Sequence, residues 1–175
     1  DYLYIKNTEA ASDLILTLEQ KYISVVNELY STTEYREKLQ KLVLSHFKTI
    51  KSCTHSVFTE KEEKVILAQG ELLSTALFHY HLCEQNIQSV LIPAFYFMKT
   101  DKDSEPDLAF IKEKLITEIN THPGNTLFIT QGYIAHNEHG EIDNLKRGGS
   151  DYTASLLGAA IDSEEIQIWT DIDGI

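Results

Sequence analysis

The sequence predicts an α/β fold in which helices pack on a mainly parallel sheet. The alternating, β-branched run at residues 166–169 predicts a strand from about Glu165 to Thr170. An apolar run at residues 127–130 predicts an earlier strand, and residues 154–160 between them have a helical apolar pattern. A strand, a helix and a second strand form a parallel unit with a right-handed crossover.

Composition and charge are those of an ordinary globular domain. Of the 175 residues, 42% are hydrophobic and 24% are charged, which is sufficient for one sizeable core. The net charge of −12 argues against nucleic acid or an anionic membrane as a partner, and no apolar run approaches the ~20 residues of a membrane span. Cys53 and Cys83 form neither a CxxC motif nor a disulfide framework, so we expect a reduced, cytoplasmic protein.

Three amphipathic helices are predicted in the first half of the chain. Apolar residues recur at three- and four-residue spacings from Leu14 to Leu29 and predict the first helix. Thr33 opens a second helix that runs to about His46 or beyond. A third helix is predicted from about Glu60 to Glu84.

The second half alternates strands, loops and helices. Residues 87–92 predict a strand that Pro93 ends, because proline lacks an amide donor. Residues 101–107 are polar and predict a surface loop, whose last residue, an aspartate, caps a helix over residues 108–121. Residues 136–143 predict a polar turn between two short extended pieces.

An anion site is predicted just before the helix at residues 154–160. Gly148 and Gly149 let the backbone turn tightly and approach a ligand, and Ser150 is a favoured N-cap residue. The N-terminus of a helix attracts carboxylate or phosphate, and the planar guanidinium of Arg147 can bind such a group through two hydrogen bonds. Asp151 adds a carboxylate to the first turn.

Glu71 is a second candidate site residue, on the third predicted helix. Its neighbour Gly70 is costly in a helix interior, so we expect another backbone or a ligand to approach it closely. On an apolar surface the Glu71 carboxylate needs a partner, and a substrate ammonium is one possibility. The alternative is that Glu71 faces solvent, and spacing alone leaves both open.

Further polar residues follow the last predicted strand. Ligands of open α/β sheets bind outside the carboxyl ends of the strands, which is where Thr170 and Asp171 lie. His136, Glu138 and His139 are close together, but they fall on a predicted turn, so we predict no metal site.

Three motifs together resemble the aspartate kinases of the amino-acid kinase superfamily. Residues 69–75 (Q-G-E-L-L-S-T) resemble the family's S-x-G-E-x-x-S segment, and residues 129–134 (I-T-Q-G-Y-I) resemble its T-Q-G-F segment. Residues 147–154 (R-G-G-S-D-Y-T-A), followed by I-W-T-D and Gly174, resemble its G-R-G-G-S-D-Y-T-A and W-T-D-x-x-G signature. The chain departs from the pattern at Ala68, Tyr133 and Lys146, where the family usually has Ser, Phe and Gly.

The resemblance also implies that the chain is incomplete. The family's K-F-G-G-T-S segment, with its phosphate-binding lysine, is not in this sequence, which ends at Ile175 before the rest of the nucleotide lobe. We therefore expect residues 1–175 to be an internal fragment of the catalytic domain, with a helical segment at 1–60 and an α/β region at 61–175. The implied fold is a three-layer α/β/α sandwich of the carbamate kinase-like type, incomplete here.

The activity implied by the resemblance is ATP-dependent phosphorylation of the side-chain carboxylate of L-aspartate, with Mg²⁺, in a cytoplasmic homo-oligomer. Asp151 is the implied catalytic residue, and Thr170 and Asp171 the implied nucleotide contacts. The implied aspartate-binding residues are Glu71, Tyr133, Arg147, Gly148, Gly149 and Ser150. Two alternatives stay open: another amino-acid kinase, such as glutamate kinase, and a non-catalytic fragment.

Overall fold

The computed structural model describes residues 1–55, 57–145 and 148–169. They belong to two compact units, the first made of Asp1–Leu91 with Asn125–Ile129 and the second of Ile92–Gly124 with Thr130–Ile175. Among the described residues, no helix is long and apolar enough to cross a bilayer.

Three helices make up most of the first unit: α1 (Thr8–Leu29), α2 (Thr33–Ser52) and α3 (Glu60–Glu84). All three predicted helices are confirmed, and α3 has the predicted bounds. Their apolar faces meet in one core, because side chains three and four residues apart lie on the same side of a helix. The fully buried members of this core are Val26, Tyr30, Leu39, Val43, Phe47 and Leu73.

Side chains bind the free amides at the start of α1 and α3, and the amides just before α2. The Asn7 side chain accepts a hydrogen bond from the amide of Ala10, and Thr59 and Glu62 form a reciprocal capping box at the start of α3. At α2 the cap is not local. The Glu84 carboxylate, at the end of α3, accepts hydrogen bonds from the amides of Ser31 and Thr32 at 2.8–3.1 Å.

A short parallel sheet completes the first unit. Strand β1 (Val90–Leu91) pairs with β2 (Phe128–Ile129), with Val90 opposite Phe128. Both strands lie within the predicted runs at 87–92 and 127–130, and Pro93 follows β1 directly. The parallel direction confirms that this part of the chain is of the α/β type.

The second unit contains a hairpin and two helices. Helix α4 (Leu108–Asn120) begins at the predicted cap, where the Asp107 carboxylate accepts from the Phe110 amide at 3.0 Å. Strands β3 (Ile134–His136) and β4 (Ile142–Asn144) are antiparallel and flank the predicted polar turn. Helix α5 (Gly149–Ala160) follows β4.

The predicted strand at 165–170 is wrong where the structure describes it. Residues 165–169 form no strand, so the predicted parallel unit through α5 is not formed among the described residues. A strand needs a neighbour to pair with, and its sequence pattern cannot supply one. Ile166 instead lies against α5, where a Cβ on Gly158 would be 2.4 Å from the Ile166 Cδ1 atom.

We predict that Glu84 makes folding stability depend on acidic pH. Hydrogen bonds from Thr32 and Ser31 lower the pKa of Glu84 from its ordinary 4.5 to about 2. Because the folded pKa is the lower one, this stabilisation is complete above pH 4.5 and is lost as the pH falls toward 2. Glu84→Gln should therefore lower the thermal midpoint at pH 7, with a gap to wild type that narrows between pH 4.5 and 3.

Glu37→Gln is the matched control, because Glu37 is exposed on α2 and has no hydrogen-bond partner among the described residues. Thermal melts of the three proteins across this pH range test the prediction. A gap between wild type and Glu84→Gln that is the same at every pH would contradict it.

Candidate functional site

A left-handed glycine starts helix α5. Gly148 is the N-cap, with φ 78° and ψ 11°, a conformation that side chains rarely adopt. The predicted cap at Ser150 is therefore wrong by two positions, because the turn at Gly148 brings the chain into the helix earlier. Ser150 and Asp151 lie exposed in the first turn.

The first amides of α5 are positioned to bind an anion. The hydrogen-bonded ladder begins with the Tyr152 amide, which donates to the Gly148 carbonyl at 3.0 Å. The amides of Gly149, Ser150 and Asp151 precede that bond, as the first amides of a helix do, and have no hydrogen-bond acceptor among the described residues. They add to the partial positive charge of the helix N-terminus.

The loop at Gly132 and Tyr133 packs directly against this helix start. A Cβ on Gly149 would lie 2.8 Å from the Tyr133 Cδ2 atom and 2.9 Å from the Leu145 Cβ atom. A Cβ on Gly132 would lie 2.9 Å from the Ser150 Cα atom. Both glycines are therefore required for close packing. The structure brings together four of the predicted site residues: Tyr133, Gly148, Gly149 and Ser150.

The hydroxyl of Thr153 connects the loop to the helix. It accepts a hydrogen bond from the Tyr133 amide at 3.1 Å and donates one to the Gly149 carbonyl at 2.7 Å. The Leu145 amide donates to the Tyr133 carbonyl at 2.6 Å. Tyr133 has φ 68°, which costs a residue with a side chain about 1 kcal/mol, so these bonds hold it in place.

Buried polar side chains surround the loop and were not predicted from the sequence. Gln131 is buried and accepts a hydrogen bond from the Ala94 amide at 2.8 Å. Asp143 is buried and accepts one from the Thr100 hydroxyl at 3.2 Å. Gln131 lies in the T-Q-G-Y segment at residues 130–133, and its place in that motif is the sequence feature that could have identified it. No local pattern distinguishes Asp143 from an exposed aspartate.

Glu71 lies on α3 in the first unit and is half-buried. Burial raises the pKa of its carboxyl group, and no donor among the described residues binds the carboxylate. The predicted approach of another backbone to Gly70 is wrong among the described residues, because a Cβ there would meet nothing within 4 Å. The alternative, approach by a ligand, stays a prediction. Gly70 instead lines an apolar cavity of about 440 Å³ among the helices of the first unit.

Three predicted site residues lie outside the described residues: Arg147, Thr170 and Asp171. Among the residues that are described, no three His, Cys, Asp or Glu side chains come together as metal ligands. His136 stacks on Phe95 with ring centroids 4.6 Å apart, and burial lowers its pKa. The stacking on Phe95 makes the His136 ring a packing element of β3.

Comparison with known proteins identifies the family. Residues 24–175 match the model of the amino acid kinase family, so the chain belongs to that family. The chain is 37% identical over 113 residues to lysine-sensitive aspartokinase 3 of Escherichia coli, a match that covers 63% of the chain and 25% of that protein. It is 32% identical over 123 residues to an aspartokinase of Chlamydia muridarum, covering 66% of the chain and 27% of that protein.

Solved structures agree with the sequence comparison. A crystal structure of E. coli aspartokinase III in complex with aspartate and ADP matches with a TM-score of 0.81 at 27% identity, over 94% of this chain and 37% of that one. The same enzyme in complex with lysine and aspartate matches with a TM-score of 0.76 at 25% identity, over 98% of this chain and 37% of that one. The predicted fold class is therefore confirmed, and the chain spans well under half the length of these relatives.

We predict that Thr153→Val loosens the Tyr133 loop, whereas Thr153→Ser does not. Valine keeps the shape but leaves the partly buried Tyr133 amide without its acceptor, which costs about 1–3 kcal/mol. Serine keeps the oxygen and loses only a methyl group. Hydrogen exchange at the Tyr133 amide should be roughly tenfold or more faster in the valine variant, since 1.4 kcal/mol is a factor of ten. Equal exchange rates in the two variants would refute the bridging role.

Alanine substitutions at Gly149 and Gly70 should have opposite effects on stability. At Gly149 the new Cβ overlaps Tyr133 and Leu145, and overpacking typically costs about 1–3 kcal/mol. At Gly70 it meets nothing, so the better helix propensity of alanine stabilises α3 by up to ~1 kcal/mol. Urea unfolding of both variants measures the two changes, and two shifts of the same sign would show that this packing is misassigned.

Proposed function

We propose that this chain is part of an aspartate kinase, which transfers the γ-phosphoryl group of ATP to the side-chain carboxylate of L-aspartate. The product is 4-phospho-L-aspartate, the first intermediate on the route to lysine, methionine and threonine. The observation that carries the proposal is the packing of Tyr133 against Gly149 at the start of α5. Similarity to aspartokinases, one of them bound to aspartate and ADP, supports the choice of substrate.

The start of α5 suits a carboxylate of the substrate. Its first amides and helix dipole favour an anion, and the Tyr133 ring forms a wall beside Gly149. We assign Gly148, Gly149 and Ser150 to this subsite, with Arg147 as the residue that binds the carboxylate through two hydrogen bonds. Tyrosine at 133 keeps the apolar ring face that this role requires.

Glu71 suits the substrate ammonium. A half-buried carboxylate without a donor among the described residues gains more from a cationic partner than an exposed one does. An α-amino acid carries both charges, so it needs one anionic and one cationic subsite. Glu71 and the start of α5 are our candidates for these two.

The remaining roles concern phosphoryl transfer. The triphosphate and the acceptor carboxylate repel each other, so catalysis consists mainly of positioning and charge neutralisation. Mg²⁺ bound to ATP would neutralise phosphate charge at the site. We assign Thr170 and Asp171 to the nucleotide, and Asp151 to orienting a catalytic lysine or the magnesium shell. The active form is proposed to be a cytoplasmic homo-oligomer.

A phosphoryl-acceptor assay tests the proposed function. The complete protein is incubated with ATP and Mg²⁺ and with either L-aspartate or L-glutamate, and the acyl phosphate is trapped with hydroxylamine. The proposal predicts hydroxamate and ADP with aspartate and none with glutamate. Residues 1–175 alone should form neither product. Equal turnover of glutamate, or no acyl phosphate from the complete protein, would reject it.

We predict that Glu71→Gln raises the KM for aspartate far more than the KM for ATP. The change removes the charge and keeps the shape, so it isolates the contact with the ammonium. A charged hydrogen bond contributes about 1.5–3 kcal/mol, which corresponds to a roughly 10- to 100-fold rise in KM. Steady-state kinetics of the complete protein with each substrate varied gives both constants. Equal effects on the two would point to a structural role for Glu71.

Asp151→Asn should behave differently. Its proposed partner is a lysine or the magnesium shell and not the amino acid, so aspartate binding should stay near normal while kcat falls at least about 100-fold. The same kinetic measurements decide this, after a thermal melt has shown that the variant is folded. A variant with normal kcat and a raised KM for aspartate would place Asp151 in the substrate subsite instead.

A further inference from the structure

A second group of reactive side chains lies at the C-terminal end of α3. His79 and Cys83 are four residues apart and share one face of the helix, with the His79 Nε2 atom 3.7 Å from the Cys83 Sγ atom. The other ring nitrogen, Nδ1, lies 2.9 Å from the Ser89 Oγ atom, which is held just before strand β1. A thiol, an imidazole and a hydroxyl therefore form one continuous chain of contacts.

The arrangement has the geometry of an activated nucleophile. A base lies within reach of the thiol, and a third group from a separate segment orients that base. With the ring proton on Nδ1, His79 donates to Ser89 and leaves Nε2 free to accept the thiol proton. With the proton on Nε2, Ser89 donates to Nδ1 and the ring donates toward sulfur. In both tautomers Nε2 lies toward the Cys83 sulfur, and the first tautomer is the one that can accept a proton.

His79 has the uncharged form that can accept a proton. Burial, and after it the positive charge of Lys38, lowers the pKa of His79 and so favours the uncharged ring. Lys38 itself lies over the Tyr80 ring at 4.0 Å. Cys83 is only partly buried.

The other cysteine, Cys53, differs from Cys83 in its burial and in its hydrogen-bond partner. Cys53 is buried, its Sγ atom donates to the Thr49 carbonyl, and burial raises the pKa of its thiol. No histidine among the described residues hydrogen-bonds to Cys53, and the charge of the nearby Glu62 carboxylate also raises the pKa of its thiol.

We propose that Cys83 is a modification site, a thiol that peroxides oxidise to a sulfenic acid with His79 as the proton acceptor. The thiol proton moves to His79 Nε2 as the sulfur attacks one peroxide oxygen. The O–O bond breaks, sulfur loses two electrons to the peroxide, and the leaving hydroxide takes the proton from His79. One thiol and one hydrogen peroxide thus give one sulfenic acid and one water.

The test follows Cys83 in the complete protein treated with hydrogen peroxide at neutral pH. Dimedone traps the sulfenic acid, and the mass of the peptide that carries Cys83 gives the rate. Cys53 in the same digest is the internal reference thiol. His79→Asn keeps a donor near Ser89 and removes the base from sulfur, so it should slow the oxidation of Cys83 by about tenfold or more.

Ser89→Ala provides a second variant on a different segment. It should slow the oxidation of Cys83 severalfold by releasing the imidazole, and it decides the matter if His79→Asn does not fold. Oxidation at the wild-type rate in a folded His79→Asn protein would overturn the proposal. Equal oxidation rates at Cys83 and Cys53 in the wild type would overturn it as well, because His79 would then give Cys83 no advantage in rate.

Discussion

The hydroxyl group of Thr153 is the contact on which the candidate site depends. One oxygen accepts from the Tyr133 amide and donates to the Gly149 carbonyl, and so joins a loop to the start of a helix. Without this hydrogen bond, less would offset the cost of about 1 kcal/mol that the left-handed backbone of Tyr133 carries. The glycine at 149 makes the same junction possible by omitting a side chain. The hydrogen bonds of Thr153 and the absence of a side chain at Gly149 together fix how the Tyr133 loop packs on the start of α5.

The electrostatics of the site are local and opposed to the charge of the whole chain. A net charge of −12 repels anions at long range, yet the first turn of α5 has amides without an acceptor among the described residues, and such amides attract an anion. Glu71 is the opposite case, a carboxylate whose burial raises its pKa and leaves it in need of a cation. An amino acid carries an anionic and a cationic group, and each of these environments favours one of them, which is the physical basis of the proposed substrate.

What the sequence predicted well was local. The periodic apolar pattern that places α3 at Glu60–Glu84 depends only on neighbouring residues, and so does the cap at Asp107. The strand at 165–170 failed because pairing depends on a distant partner, and the cap at Ser150 failed because Gly148 takes a left-handed φ. Thr153 was missed since its importance comes from Tyr133, twenty positions away. The roles of Arg147, Thr170 and Asp171 stay predictions.

The most direct test of the central claim is a crystal structure of the complete protein with L-aspartate bound. The account predicts a substrate carboxylate within hydrogen-bond distance of the amides of Gly149 and Ser150, and the Tyr133 ring in contact with the substrate. It also predicts the substrate ammonium on the Glu71 carboxylate. Aspartate bound away from both Tyr133 and Gly149 would contradict the account.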